Sequence, residues 1–313
     1  MSISLDQKVA IVTGAGAGLG AAYAGALAAA GAAVVVNDVS EAAAQAVVAR
    51  IQAAGGRAVA AVAPVGSAEV AQQLVDTAIR EFGRLDILVT NAGILRDKSL
   101  LKMTDEDFDA VVGVHLRGTF TCARAAFAYF KEHAVPGRII AIGSPTGQRG
   151  NFGQTNYAAA KAGIVGMIRT WAIEMRKAGV TANAVIPVAA TAMTRTIPYF
   201  AAAVEASEAG AAMPAFFRHG LGFGTPEDVA GLIVWLASDQ AQDVTGQAIG
   251  VGGDRIQLWS HPEAIESWYH DGGWTADDIQ TELGGELHGR LQSVGEAPWP
   301  ELPAELRREP TQG

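Results

Sequence analysis

The stretch "KVAIVTGAGAGLG", residues 8–20, decides the fold. An apolar, β-branched run passes into a glycine cluster, "TGAGAGLG" (13–20), and the chain then turns Ala-rich. Glycines let a tight turn approach a pyrophosphate, and a helix N-terminus just beyond supplies free N–H groups and a favourable dipole. A glycine cluster by itself reads equally as a flexible turn. Here its context favours a nucleotide, because a strand precedes it, a helix follows, and a second apolar run, "AAVVVND" (32–38), ends in an acid. Asp38 stands eighteen residues beyond Gly20, close to the offset of a carboxylate that accepts hydrogen bonds from an adenosine ribose. As a simple turn or cap residue it would serve the next helix instead.

The same alternation continues along the chain. Further apolar runs at 57–64, 85–90, 137–144, 180–187 and 246–253 are separated by helix candidates near 18–30, 40–54, 67–82, 104–132, 155–178 and 226–237. Runs that are continuously apolar indicate strands covered on both faces. The expected fold is therefore α/β, a doubly wound parallel sheet of the Rossmann type in a single domain, residues 1–254, with a C-terminal extension, 255–313. Thr104 with Asp107, and Thr225 with Pro226 and Asp228, read as helix starts. Residues 190–224 hold no clear strand and are rich in Ala, Met and Phe. Such an insertion near strand C-termini covers a ligand or packs as ordinary core.

The extension carries Trp259, Trp268, Trp274 and Trp299, four of the six tryptophans, and reads as an appendage on the domain or on a neighbouring subunit. Its end, "ELPAELRREPTQG" (301–313), reads as loosely ordered. No internal repeat is present.

Composition narrows the function classes. Half of the 313 residues are hydrophobic and the formal net charge is −9, which disfavours nucleic acid and anionic membranes as partners. No apolar run approaches the roughly 20 residues of a membrane span, and the N-terminus lacks the features of a secretory signal. Cys122 is the only cysteine and lies in an apolar segment, as a packing residue would. His261, His270 and His288 lack tight ligand spacing, so no metal site is expected. A cytoplasmic location is the expectation.

Further on, "GNFGQTNYAAAK" (150–161) places Tyr157 and Lys161 one helical turn apart. With Thr13-Gly14-x-x-x-Gly18-x-Gly20, Asn91-Ala92-Gly93 and Ser144, thirteen residues before the tyrosine, they form an ordered set over residues 5 to 254 that resembles the short-chain dehydrogenase/reductase family. The stretches "NAGILRDKS", "DEDFD", "VHLRGTF" and "GNFGQTNYAAAKAG" look most like one branch. It comprises the (3R)-hydroxyacyl-CoA dehydrogenase domains of peroxisomal multifunctional enzymes and related actinobacterial dehydrogenases.

The resemblance implies interconversion of a secondary alcohol and a ketone on a small-molecule substrate, and a homodimer or homotetramer. It implies Tyr157 as general acid/base, Lys161 beside it, and Ser144 orienting the substrate oxygen. A free tyrosine has a pKa near 10, too high for a base at neutral pH, and a cation one turn away, with the positive nicotinamide ring nearby, would lower it. The resemblance also implies a cofactor site of Gly14, Gly18, Leu19, Gly20, Asp38, Val65, Asn91, Ala92, Gly93, Tyr157, Lys161, Pro187, Val188 and Thr191. Asp38 would repel a ribose 2′-phosphate, and neither the glycine loop nor residues 37–42 carry a basic side chain, so NAD is expected rather than NADP.

The chain also departs from the family pattern. His115 stands where many members have a catalytic asparagine, and is either a relay partner or a satisfied structural residue. Pro187-Val188 replaces Pro-Gly, and Val65 lies where the adenine-binding aspartate is usual. The favoured substrate is bulky and apolar, such as a 3-hydroxyacyl-CoA. Alternatives are a hydroxysteroid dehydrogenase, a 3-oxoacyl-carrier-protein reductase, and a non-catalytic NAD-binding regulator.

Overall fold

In a computed structural model of the chain, the described residues are 3–195, 197–296 and 298–306. The seven expected strands are present: β1 Val9–Val12, β2 Ala33–Asp38, β3 Arg57–Val62, β4 Ile87–Thr90, β5 Arg138–Ile142, β6 Thr181–Pro187 and β7 Ala248–Gly252. They pair in parallel in the order β3-β2-β1-β4-β5-β6-β7. Chain order reverses between β1 and β4, the switch point where an open α/β sheet leaves a crevice at its strand C-termini.

Side chains alternate between two packed layers. Ala10, Val12, Val34, Val36 and Val89 face α1 (Gly18–Ala29), α2 (Glu41–Ala53) and a later helix, while Val9, Ile11, Val35 and Leu88 face α3 (Ala68–Phe82) and its neighbours. Burying each Val, Ile or Leu contributes about 1.5–3 kcal/mol, and a one-residue slip would exchange every side chain between the layers, so the register is strongly held.

The expected helix at 104–132 is divided. It runs as α4 (Asp105–Val112), a π-helical turn over Gly113–Arg117, and α5 (Gly118–Glu132). Thr104 and Asp107 form the capping box expected at its start. Cys122 of α5 is buried, and burial pushes its thiol pKa up to about 12, which suits a packing residue. A short α6 (Pro145–Arg149) precedes α7 (Thr155–Glu174).

The 190–224 insertion is helical: α8 (Ala192–Arg195), α9 (Pro198–Glu208) and a π-helical turn over Phe216–Leu221. Phe200, Val204, Phe217 and Phe223 give it a small apolar core of its own, with Phe200 stacked on Phe223 at 4.2 Å between ring centroids. Helix α10 (Pro226–Ala237) then returns to the sheet.

Past the expected division at 254, the sheet continues. Strand β8 (Arg255–Leu258) pairs antiparallel with β7 through a two-residue Gly253–Asp254 turn, making an eighth edge strand. The rest of the extension is mostly irregular, apart from a helical stretch over 276–289 that passes through a π-helical turn at Ile279–Leu283. Of the terminus expected to be loosely ordered, 307–313 lie outside the described residues, while Leu302 and Leu306 pack on the insertion's apolar core. No described helix is long and apolar enough to cross a membrane.

Arg218 anchors the insertion to the domain. Its guanidinium holds Asp228 in a bidentate pair at 2.8 and 3.0 Å and reaches Asp254 at 2.7 Å. The Asp228 carboxylate also accepts the Thr225 N–H at 2.7 Å, closing the α10 start. Partial burial pushes this carboxyl up, but Arg218 and Thr225 outweigh it and hold its pKa below the usual range. Asp228→Ala should lower the unfolding free energy by about 1–2 kcal/mol, the usual cost of a lost cap and charged hydrogen bonds. Urea midpoints read this, and a midpoint matching wild type would contradict it.

Candidate active site

At the switch point, β1 and β4 are stitched together. The Thr13 hydroxyl accepts the Asn91 and Ala92 N–H groups at 3.0 and 3.1 Å. The Asn91 amide donates to the Thr13 and Gly14 carbonyls at 3.1 and 2.9 Å. The turn that follows needs glycine: Gly14 has φ +60°, and a Cβ there would lie 2.6 Å from the Ala92 Cα. The N-terminus of α1 opens directly beyond, with no acidic residue in its first turn. That cradle of bare backbone fits a pyrophosphate.

Asp38, at the end of β2, ties the turn to its neighbour. One carboxylate oxygen accepts the Gly16 N–H at 2.9 Å and the other the Ser40 N–H at 3.0 Å. The α2 cap itself is Ser40, which accepts from the Ala43 N–H. Asn37 is buried and donates to the Ala61 and Ala63 carbonyls, both at 2.9 Å, fixing the end of β3 just before Val65.

Ser144 follows β5 and caps α6 by accepting the Thr146 N–H at 3.2 Å. Its hydroxyl also bears on Tyr157, in the first turn of α7, whose proton affinity it lowers. One turn on, the Lys161 ammonium lies 5.5 Å from the Tyr157 ring centroid and donates to the Ile142 carbonyl at 2.6 Å. Asn156 is fully buried and donates to the Arg96 and Asp107 carbonyls at 3.2 and 3.1 Å, which pins the start of α7.

The π-helical turn delivers His115. Its Nε2 sits 2.8 Å from the Ile94 carbonyl and 3.0 Å from the Ile94 N–H, and its ring meets Tyr157 edge-on at 5.2 Å. A Cβ at Gly93 would collide with the imidazole, so the glycine makes room for the histidine. His115 Nδ1 is buried with no partner among the described residues.

Burial dominates the electrostatics. It pushes the Lys161 pKa down to about 7 and that of His115 down to about 3, with the Lys161 charge adding to the latter. It pushes Tyr157 up, against the hydrogen bond from Ser144, while the Asp97 charge raises it further. The sequence expectation of a depressed tyrosine pKa is therefore reversed for the chain alone: both Tyr157 and Lys161 are buried, and desolvation favours their neutral forms.

Lys161, His115 and Tyr157 face one cavity of ≈ 1720 Å³. It contains the glycine-loop residues Gly14, Gly18, Leu19 and Gly20, then Asp38 and Val65, then Asn91, Ala92 and Gly93. His115, Ser144, Tyr157 and Lys161 line its middle, with Pro187, Val188 and Thr191 on the same wall. Single-ligand pockets run to about 1,000 Å³, so there is room for a dinucleotide and a second molecule. The sequence offered no signal for Asn37 or Asn156, which are ordinary polar residues until their partners are known. Arg149 and Trp299 also line the cavity and were equally silent.

Elsewhere, among the described residues, His270, Asp278 and Glu282 bring ligand atoms within 4.8 Å of one another. Asp278 there is already engaged by Thr275 as a helix cap.

Lys161 makes a pH-dependent contribution to stability. Its pKa falls from the ordinary 10.5 to about 7 on folding. Between those values the unfolded chain binds a proton that the folded chain does not, so unfolding free energy rises with pH across the window. The difference between Lys161→Met and wild type should accordingly shrink as pH is raised from about 6 to about 10. Chemical denaturation at several pH values measures it, and a flat or growing difference would contradict the assignment.

Comparison with known proteins agrees with this geometry. Residues 8–199 match the family described as short chain dehydrogenase. The chain is 41% identical over 299 residues to the hydroxyacyl-CoA dehydrogenase ChsB1 of Mycobacterium tuberculosis, covering 91% of this chain and 90% of that one. It is 42% identical over 253 residues to the peroxisomal multifunctional enzyme type 2 of Mus musculus, covering 78% of this chain and 31% of that protein. The chain thus spans about a third of the multifunctional enzyme's length. A crystal structure of a short chain dehydrogenase from Mycobacterium avium superposes with a TM-score of 0.78 at 38% identity, covering 93% and 98% of the two chains. With the glycine cradle, the stitched switch point and the Ser144–Tyr157–Lys161 cluster in one cavity, the chain belongs to the short-chain dehydrogenase family, oxidoreductases that act on CH–OH groups with a nicotinamide dinucleotide.

Proposed function

We propose that the protein is an NAD-dependent dehydrogenase that interconverts a secondary alcohol and a ketone on a bulky apolar substrate, a 3-hydroxyacyl-CoA being the best fit. The observation that carries this is the Ser144–Tyr157–Lys161 cluster opening into the same cavity as the glycine cradle. The name of the M. tuberculosis relative, a hydroxyacyl-CoA dehydrogenase similar over nearly its whole length, supports the substrate class.

The cradle of Gly14, Gly18, Leu19 and Gly20 would hold the pyrophosphate, Asp38 the adenosine ribose, and Val65 would flank the adenine. Asn91, Ala92 and Gly93 would line the dinucleotide's path, Lys161 and Tyr157 would meet the nicotinamide ribose, and Pro187, Val188 and Thr191 the carboxamide. The dinucleotide, when bound, supplies the hydride acceptor or donor. Tyr157, kept neutral by burial, is poised to donate its proton to a carbonyl oxygen, and in the oxidative direction it takes the proton from the hydroxyl. Ser144 would donate to the same oxygen and steady developing negative charge. Lys161, held to the Ile142 carbonyl, gains charge when an anionic neighbour forms beside it. His115 is neutral and engaged by Ile94, so it positions the 93–95 loop against Tyr157 rather than exchanging a proton itself.

NAD is preferred over NADP on the Asp38 carboxylate, which would oppose a 2′-phosphate. A hydroxysteroid is the second substrate reading, favoured by the aromatic rings of Phe200 and Phe223 on the cavity wall. A cytoplasmic location and a homodimer or homotetramer complete the proposal. Exposed Phe120 on α5 and Ile173 on α7 offer apolar surface to a second copy.

Two substitutions test the assignments. Tyr157→Phe should lower turnover at least about a hundredfold while NADH binding by fluorescence stays within a fewfold of wild type. Near-normal turnover would remove Tyr157 from its role. Asp38→Ala should narrow the ratio of kcat/KM with NAD to that with NADP, and an unaltered ratio would rule out the ribose contact.

A further inference from the structure

The C-terminal extension crosses the mouth of the cavity. On one side it is fastened to α6, the short helix capped by Ser144. Arg149 donates through Nε to the Gly295 carbonyl at 3.1 Å and through Nη2 to the Ser293 hydroxyl at 3.0 Å. The Gly295 N–H returns a bond to the Arg149 carbonyl at 2.7 Å. On the other side it is fastened to α9. The Tyr199 hydroxyl donates to the Pro300 carbonyl at 2.7 Å. The Trp299 ring packs against Tyr199 and Phe200, each 4.9 Å away between centroids. Beyond it, Leu302 and Leu306 join the apolar core of the insertion.

Between these anchors the segment forms one wall of the cavity. Val294, Pro298 and Trp299 present apolar surface to it, and Glu296 is the one charged side chain that the segment contributes there among the described residues. A carboxylate on that wall opposes an anionic group, whereas the indole and the proline rings reward an apolar one. We propose that residues 293–296 and 298–300 belong to a specificity strap, in which Trp299, packed on α9 and lining the cavity that also holds Ser144 and Tyr157, limits the size of the apolar portion of the substrate. This rests on the dehydrogenase assignment above. It extends that assignment to a segment outside residues 8–199, the stretch of the chain that matches the family.

The strap differs from the α8–α10 insertion in what it couples. Arg149 closes the helix that Ser144 opens, so the strap is fastened to the same short helix that carries the serine at its start.

The test compares full-length wild type, Trp299→Ala and Trp299→Phe with NAD and 3-hydroxyacyl-CoAs of increasing acyl length. In Trp299→Ala the ratio of kcat/KM for the longest chain to that for the shortest should rise at least about tenfold, the scale of discrimination by a hydrophobic wall. Trp299→Phe should fall between the two, and NADH affinity, measured in parallel, reports that each variant is folded. Identical chain-length profiles in the three proteins would overturn the strap. If wild type turns over no acyl-CoA, the substrate assignment fails by itself. The wall is then read from binding of the apolar probe 1-anilinonaphthalene-8-sulfonate to NADH-saturated protein, where Trp299→Ala should shift the dissociation constant by about tenfold and Trp299→Phe by less. Equal probe binding in all three would overturn it.

Discussion

Four hydrogen bonds between Thr13, Gly14, Asn91 and Ala92 hold the ends of β1 and β4 together where the helices leave for opposite faces of the sheet. A doubly wound sheet opens a crevice there because consecutive connections diverge. Left unstitched, the crevice would separate strands whose backbone groups have few other partners at that depth. With the stitch in place, the bare turn at Gly14, the start of α1 and the loop running on to Ile94 become one rigid rim. Asp38 extends the rim to β2 through Gly16, and His115 extends it to α7 through Ile94 and Tyr157. The site is a consequence of how these strand ends are joined.

Within that rim burial works against charge at three groups. Lys161, His115 and Tyr157 are each driven by desolvation toward the uncharged form, and carbonyls rather than carboxylates meet Lys161 and His115. Beside groups buried this deeply, a charged ligand would have a large effect on its neighbours. Proton affinity at Tyr157 is thereby linked to occupancy of the cradle.

Much of this was legible in the sequence, for identifiable reasons. Continuous apolar runs marked the seven parallel strands because strands covered on both faces have no polar side. The capping pairs at Thr104 and Thr225 were legible because a cap is local chemistry. The ordered residues Gly14, Asn91, Ser144, Tyr157 and Lys161 carried the family resemblance, and the structure brings them to one cavity. The π-helical turn at 113–117 was not legible, since one extra residue per turn leaves no periodic trace in so short a segment. Strand β8 was missed although Gly253–Asp254 is a plausible two-residue hairpin turn, because the strand is exposed and lacks an apolar run. The upward push on the tyrosine pKa in the chain alone was not legible, because spacing shows a neighbouring lysine but not the depth at which both are buried. The strap was invisible because its partners lie over a hundred residues away.

The contact between Gly93 and His115 has a consequence for how this chain can vary. The imidazole fills the volume that a side chain at 93 would need, so the two positions, twenty-two residues apart, share one parcel of space. Enlarging residue 93 is tolerable only alongside a smaller residue at 115, and the energetic effects of changing the two cannot be additive. Whatever amino acid a descendant of this chain carries at 115 therefore sets what it can carry at 93, and the pair will drift together or not at all.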